Sequence, residues 1–308
     1  MKKRVISAVL IAGCLLALLA GCANREKEVV GSCAGYDVLY EELRFVALSE
    51  RKSKSGAELE RAVAEQIAAD YAVLTAAKEF FPDLTIDAAE IQQAVDAAVE
   101  EAIESYGGKK EYKAFLKENN LTENYARLLL ARAEIELKWK ERLEAELFTG
   151  TELETETAFS AWLKSGNLVR VRRIVAESEA TAQAILAELK AGKTPEEAVN
   201  GKSGVSLSAR FYFVRGYSDD ELLEADAFAL TAEAPIGEIR QTETGYRVLI
   251  LEEADFESFA TYQLSTYFRN MRNDKYEAAR ASRLAAAAAA NPFVPNEVGS
   301  SIDLENMK

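Results

Sequence analysis

Few residue types in this chain can do chemistry. Histidine is absent from all 308 positions. That excludes Ser-His-Asp and Cys-His nucleophiles, histidine general bases and histidine-ligated metals, and neither a metal nor a cofactor is expected. The three cysteines differ in what they can do. Cys22 closes Leu19-Ala20-Gly21-Cys22, a match to the bacterial lipobox, in which small residues admit the signal peptidase and the cysteine sulfur receives diacylglycerol. Cys14 precedes that site, so Cys33 is the only thiol expected to stay free, and no intrachain disulfide can form. Nothing near Cys33 in sequence depresses its pKa, and it is expected to be a small buried residue.

The segment that presents Cys22 reads as a signal peptide over residues 1–21. Met1-Lys2-Lys3-Arg4 is followed by an uncharged run from Val5 to Ala20, with no acidic residue before Glu26. The run is too short and wrongly flanked for a membrane span. The mature chain is therefore expected outside the cytoplasm, on the outer face of the cytoplasmic membrane. Residues 22–28 would be the tether, and each buried acyl CH₂ contributes about 0.8 kcal/mol to anchoring. The formal charge is −14 and grows more negative once Lys2, Lys3 and Arg4 are removed. Such a chain lacks the basic clusters that nucleic-acid binding needs.

Hydrophobic spacing sets out the elements beyond the tether. Val29 to Val38 reads as strand, turn and strand. Leu59, Val63, Ile67 and Tyr71 fall at i, i+4 spacing on a helix that Pro82 ends, and Ile91, Val95, Val99 and Ile103 form a second stripe after a capping-box start at Asp87 and Glu90. Gly107-Gly108 ends that helix. Lys110 to Asn119 and Thr122 to about Leu147 are two more, so residues 29–152 form a helical module. Trp139 and Trp162 read as packing residues, and the acidic runs from Glu141 to Glu156 as solvated helix faces. Residues 153–166 carry a linker helix.

The pattern then changes. Strands are expected at Val169–Val175, Phe211–Val214, Ile236–Arg240 and Tyr246–Leu251, with helices at Glu177–Ala191, Thr194–Val199 and Asp219–Phe228, which makes residues 167–254 a small domain on about four strands. Residues 255–290 are helical again, ending at Pro292 and Pro295. The fold class is α+β: a helical module completed by its carboxyl-terminal helix, with the sheet domain inserted. Residues 291–308 form a tail, expected to be disordered from Asn296.

Six fragments, in order, resemble the SurA/PrsA family of extracytoplasmic foldases. Gly107 to Leu130 looks like the family's Gly-Gly pair, helix and "Leu-Thr" restart at Leu121-Thr122. Val169-Arg170-Val171-Arg172-Arg173-Ile174-Val175 resembles the first strand of a parvulin-type (PpiC-type) prolyl isomerase domain. Ala184, Leu189, Ala191-Gly192 and Pro195-Glu196-Glu197-Ala198 resemble its next helix and turn. Phe211-Tyr212-Phe213 with Arg215-Gly216 is similar to its "Gly-Trp-Phe-x-x-Gly" strand, Ala225 to Leu230 to its "Glu-x-Ala-Phe-x-Leu" helix, and Thr244 to Leu249 to its terminal "Tyr-Gly-Tyr-His-Ile-Ile". The resemblance implies a membrane-anchored chaperone or foldase that binds unfolded or extended secreted polypeptides, with a second copy of the chain as a further candidate partner.

The chain departs from the family where catalysis is concerned. Both family histidine positions hold arginine, Arg173 and Arg247, and Asn200 to Ala209 offers only Ser203, Ser206 and Ser208. Enzymes lower the ~18–20 kcal/mol amide barrier by fitting the twisted bond, so losing the histidines weakens the case for catalysis without removing it. Two guanidiniums in a dry site need an anion between them. Arg173 and Arg247 would therefore either flank a groove for client carboxylates or be solvated or paired with acids such as Asp219 or Glu221. Tyr212, Phe213, Tyr217 and Phe228 would line a proline-sized substrate pocket, or else serve as core. The alternatives to a chaperone are an active isomerase lacking histidines and a solute-binding transporter lipoprotein, against which the long helical stretches argue.

A lipid label fed to cells producing the protein is expected to appear on the wild-type chain and to be lost from Cys22→Ala.

Overall fold

A computed structural model describes residues 25–307, so the signal peptide expected over residues 1–21 and the lipidation expected at Cys22 lie outside the described residues. A hairpin of β1 (Val29–Cys33) and β2 (Tyr36–Leu39) opens the fold. Its turn uses Ala34 and Gly35, both at positive φ. Helices α1 (Tyr40–Glu50), α2 (Gly56–Ala77), α3 (Ala89–Ser105), α4 (Lys109–Glu118) and α5 (Glu123–Phe148) follow. Next come α6 (Glu156–Trp162), a π turn over Leu163–Asn167, β3 (Leu168–Ala176), α7 (Glu179–Lys190), α8 (Pro195–Val199), β4 (Val205–Leu207), β5 (Phe211–Val214), α9 (Glu221–Phe228), β6 (Arg240–Thr242) and β7 (Gly245–Glu252). Last are α10 (Phe256–Tyr262), α11 (Leu264–Ala290), β8 (Val294–Pro295) and α12 (Glu297–Ser300). The fold is α+β. It divides into two compact units, one of residues up to Glu146 with Tyr276 onward, the other Leu147–Lys275.

The first unit is built on the stripes that periodicity marks. Leu59, Val63, Ile67 and Tyr71 of α2, Ile91 and Val95 of α3, and Ile135 and Trp139 of α5 are buried. The carboxyl-terminal half of α11 belongs to this unit. Arg280 pairs with Glu136 at 2.5 Å and Arg283 with Glu79 at 2.7 Å, and Tyr276 and Ala287 are buried. Helix α3 departs from the expected capping box, because it starts at Ala89 with no side-chain cap.

The tail corrects the expectation of disorder. β8 adds antiparallel to β1, giving the order β2-β1-β8. Arg51 Nη1 donates to the Met307 carbonyl at 2.5 Å, and the Met307 side chain is buried. Backbone pairing and a few terminal contacts fix this strap, and neither follows from composition. Cys33, 2% exposed, donates its thiol to the Asn291 carbonyl at 3.2 Å. Burial pushes that thiol up to about 11.

The second unit is organised around β3. It pairs antiparallel with β7 along one edge, and with β4 and β5 end to end along the other, while β6 pairs with β7. Alternation sends Ile174 and Ala176 to the face packed by α7 and α8, with Val248 and Ile250. Val171 and Leu249 go to the opposite face, with Phe213 and α9 residues Leu223 and Ala227. Three expectations shift. β4 is an additional strand, Ile236 makes only an isolated bridge to Ile250 while the strand lies at Arg240–Thr242, and the helix expected from Phe256 breaks at Gln263.

A Cβ on Gly31 would lie 2.5 Å from the Phe293 ring and 2.6 Å from the Val294 carbonyl oxygen. Gly31→Val should therefore dislodge the strap and cost about 1–3 kcal/mol in urea unfolding, as overpacking does.

Candidate functional site

Two places gather the residues that could bind or react, one in each unit. The helical unit carries a cavity of about 310 Å³ where α1, α2 and α5 meet the end of α4. Half-buried Phe45, Phe115 and Leu129, with buried Leu121, supply apolar walls, and exposed Ser49 and Gln66 stand at its rim. Asp70 of α2 and Tyr125 of α5 also line it. The lining thus sets apolar walls beside two carboxylates, Asp70 and Glu50.

The same unit holds a buried ion pair. Glu42 of α1 and Arg132 of α5 are 2% and 6% exposed, and Arg132 Nη2 donates to Glu42 Oε2 at 2.6 Å. The Leu39 amide donates to Glu42 Oε1 at 3.1 Å and the Tyr71 hydroxyl to Oε2 at 3.0 Å. The guanidinium lies 4.0 Å from the centroid of the Tyr71 ring. Burial pushes the Glu42 carboxyl above the usual range against the pull of Arg132 and these donors. For Arg132 burial works downward, yet Glu42 and the neighbouring Tyr71, Tyr125 and Asp70 leave its pKa raised. Next to Glu42, buried Glu41 is bonded by the Thr122 hydroxyl and by Asn124 Nδ2 at 2.5 Å. Glu42 and Tyr71 also border a second, more polar cleft of about 480 Å³ with Tyr36, Asp37 and Asp87. The sequence marks none of these residues as a site; Tyr71 enters only in the buried stripe and Asp87 in the expected capping box. The partners stand 29 and 90 positions apart, beyond any local signal.

In the sheet unit, Arg173 and Arg247 stand on adjacent strands. Arg173 is opposite Leu249 and Arg247 opposite Val175, so both side chains leave the face that carries Val171 and Leu249, one diagonal step apart. Their surroundings differ. Arg247 is 7% exposed, and its Nη2 donates to Asp226 Oδ2 at 2.7 Å, with Asp220 at 3.8 Å. Arg240 takes the other Asp226 oxygen at 3.1 Å. Arg173 is exposed and has no ion pair among the described residues. The acids that meet Arg247 are thus Asp226 and Asp220 rather than Asp219 or Glu221. With Arg247 neutralised from within, the pair does not frame a carboxylate groove.

The four aromatic candidates do not converge. Phe213 and Phe228 pack in the core between sheet and α9, and Arg215 lies 4.0 Å over the Phe228 ring. Tyr212 is paired with Arg170, so it leaves the opposite face from Phe213. Its ring meets Phe259 at 5.1 Å and its hydroxyl donates to the Asp255 carbonyl at 3.0 Å. Tyr217 packs edge-on against Tyr267. Strand alternation splits the consecutive Tyr212 and Phe213, which rules out one pocket lined by all four. Among the described residues no group of three or more Cys, Asp or Glu could hold a metal, and no helix is long and apolar enough to cross a membrane.

No family model matches the chain, and no curated protein matches it. The chain is similar to solved PrsA and SurA-like structures. PrsA from Bacillus subtilis is 16% identical, covering 90% of this chain and 94% of that one at a TM-score of 0.26. The peptidylprolyl isomerase PrsA from Bacillus cereus is 12% identical, covering 91% and 96% at 0.40. A structure from the study of PEB4 and Cj1289, SurA-like chaperones of Campylobacter jejuni, is 10% identical, covering 87% and 99% at 0.32.

Cutting one partner from the buried pair strands the other charge. Arg132→Met and Glu42→Leu should each cost about 3–5 kcal/mol in urea unfolding, and the double substitution less than their sum.

Proposed function

We propose that this protein is a lipid-anchored extracytoplasmic chaperone that holds extended segments of unfolded secreted polypeptides in its helical unit. Its parvulin-like sheet unit is an accessory that has lost isomerase catalysis. The observation that carries the reading is the cavity of the helical unit. Half-buried Phe45, Phe115 and Leu129 line about 310 Å³ of open space, room and apolar surface for a side chain of an extended polypeptide. The six family-like segments in the sequence support the same assignment, and the lipobox at Cys22 supports the anchor and the location outside the cytoplasm.

The loss of catalysis is supported from the sheet unit. The face where the family carries paired histidines holds one guanidinium tied to Asp226 and one open to solvent. The aromatic residues that would grip a proline ring are split between two faces. A unit that still fits a twisted amide by shape alone would betray itself in a rate.

The mature chain is expected to suppress aggregation of an unfolded secreted protein at near-equimolar ratio, and to leave a cis-proline peptide isomerising at its uncatalysed rate. No suppression would contradict the chaperone reading, and a clear rate enhancement would restore the active isomerase.

A further inference from the structure

The cavity of the helical unit contains one carboxylate that its surroundings do not neutralise. Glu50, at the same cavity, is held by Lys54 one turn on. Glu42, which lines the other cleft, is held by Arg132. Asp70 receives only the Gln66 amide, at 2.7 Å, and has no ion-pair partner within 4 Å among the described residues. Arg132 acts on it from further away, while burial, the larger influence, pushes the Asp70 carboxyl above its usual range. Of the two carboxylates in the cavity's lining, Glu50 and Asp70, only Glu50 has a cation within ion-pair distance, so Asp70 leaves a negative charge unanswered there.

An occupant of this cavity must satisfy two demands together. The walls formed by Phe45, Phe115 and Leu129 favour hydrocarbon. Asp70 opposes a purely hydrocarbon occupant, because that would strip the carboxylate of water and return no partner, and an anionic side chain would meet its unanswered negative charge. Lysine and arginine satisfy both, since their methylene stems lie along apolar surface while the charged end reaches a polar partner. We infer that the cavity at Asp70 is a subsite for a basic side chain of the bound polypeptide, so that the chaperone prefers client segments in which a lysine or arginine interrupts an apolar run. This rests on the helical unit being the client-binding part, and it adds a selectivity that an apolar cleft alone would lack.

The probes are three unstructured, fluorescent, leucine-rich peptides, identical except for a central lysine, acetyl-lysine or norleucine. Their affinities for the mature wild-type chain are read by anisotropy. The lysine peptide is expected to bind about five- to tenfold tighter than the other two at low salt, with the preference shrinking as salt is raised from about 0.05 to 0.5 M. In Asp70→Asn the lysine-to-norleucine ratio should fall to near one, and in Asp70→Glu it should stay clearly above one. A wild-type ratio of one, with all three peptides bound, overturns the subsite and leaves the chaperone reading standing, whether or not either variant folds. Binding of none overturns both. A ratio unchanged in a folded Asp70→Asn chain overturns the assignment to Asp70.

Discussion

The helical unit depends on the contact between Glu42 and Arg132. Four elements meet there: the end of β2 through the Leu39 amide, α1 through Glu42, α2 through Tyr71 and α5 through Arg132. Removing two charges from water is costly, and the attraction between them offsets that cost only when the remaining lone pairs and protons find partners. Here Glu42 accepts from three donors, while the guanidinium lies on the Tyr71 ring with its Nε and Nη1 buried and without hydrogen-bond partners. A helix shifted by one residue would break this set. The pair therefore specifies how α1, α2 and α5 approach one another, and so the spacing that leaves the neighbouring cavity open.

The same requirement, a buried charge answered from within the fold, explains the sheet unit. Arg247 sits under α9 almost fully covered, and the acids that answer it come from the start and middle of that helix, Asp220 and Asp226. Asp220 also caps α9 by accepting from the Leu223 amide at 2.8 Å. Where the resembling family places titratable rings, this chain has a permanent cation fixed to a helix. Arg173, one diagonal step away, has water instead of a helix and stays exposed. The two arginines, equivalent in a motif, have become different groups in the fold.

Much of this architecture could be read from residue order, and the failures are physical. The stripes of α2 and α3 were legible because a helix buried on one side repeats its apolar residues every turn, and Phe211–Val214 because a short aromatic and β-branched run has little choice but strand. β4 was missed because Val205-Ser206-Leu207 is three residues long and takes its pairing from β3. The strap was missed because Val294 and Pro295 become a strand only when β1 offers an edge. Of the site, the diagonal placement of Arg173 and Arg247 follows from strand order, whereas the pocket of four aromatics ignored that Tyr212 and Phe213 are consecutive and must leave opposite faces. Asp70 has no local signature: on a helix rich in alanine and glutamate it looks like any solvated acid, and only burial beside Arg132 sets it apart.

The most direct test of where the unfolded chain is held is to place a photoreactive amino acid at Leu129, in the wall of the cavity, or at Arg173, on the exposed sheet face, and to irradiate each protein with an unfolded secreted substrate. The account predicts strong crosslinks from position 129 and background from 173. Crosslinks from 173 with none from 129 would contradict it.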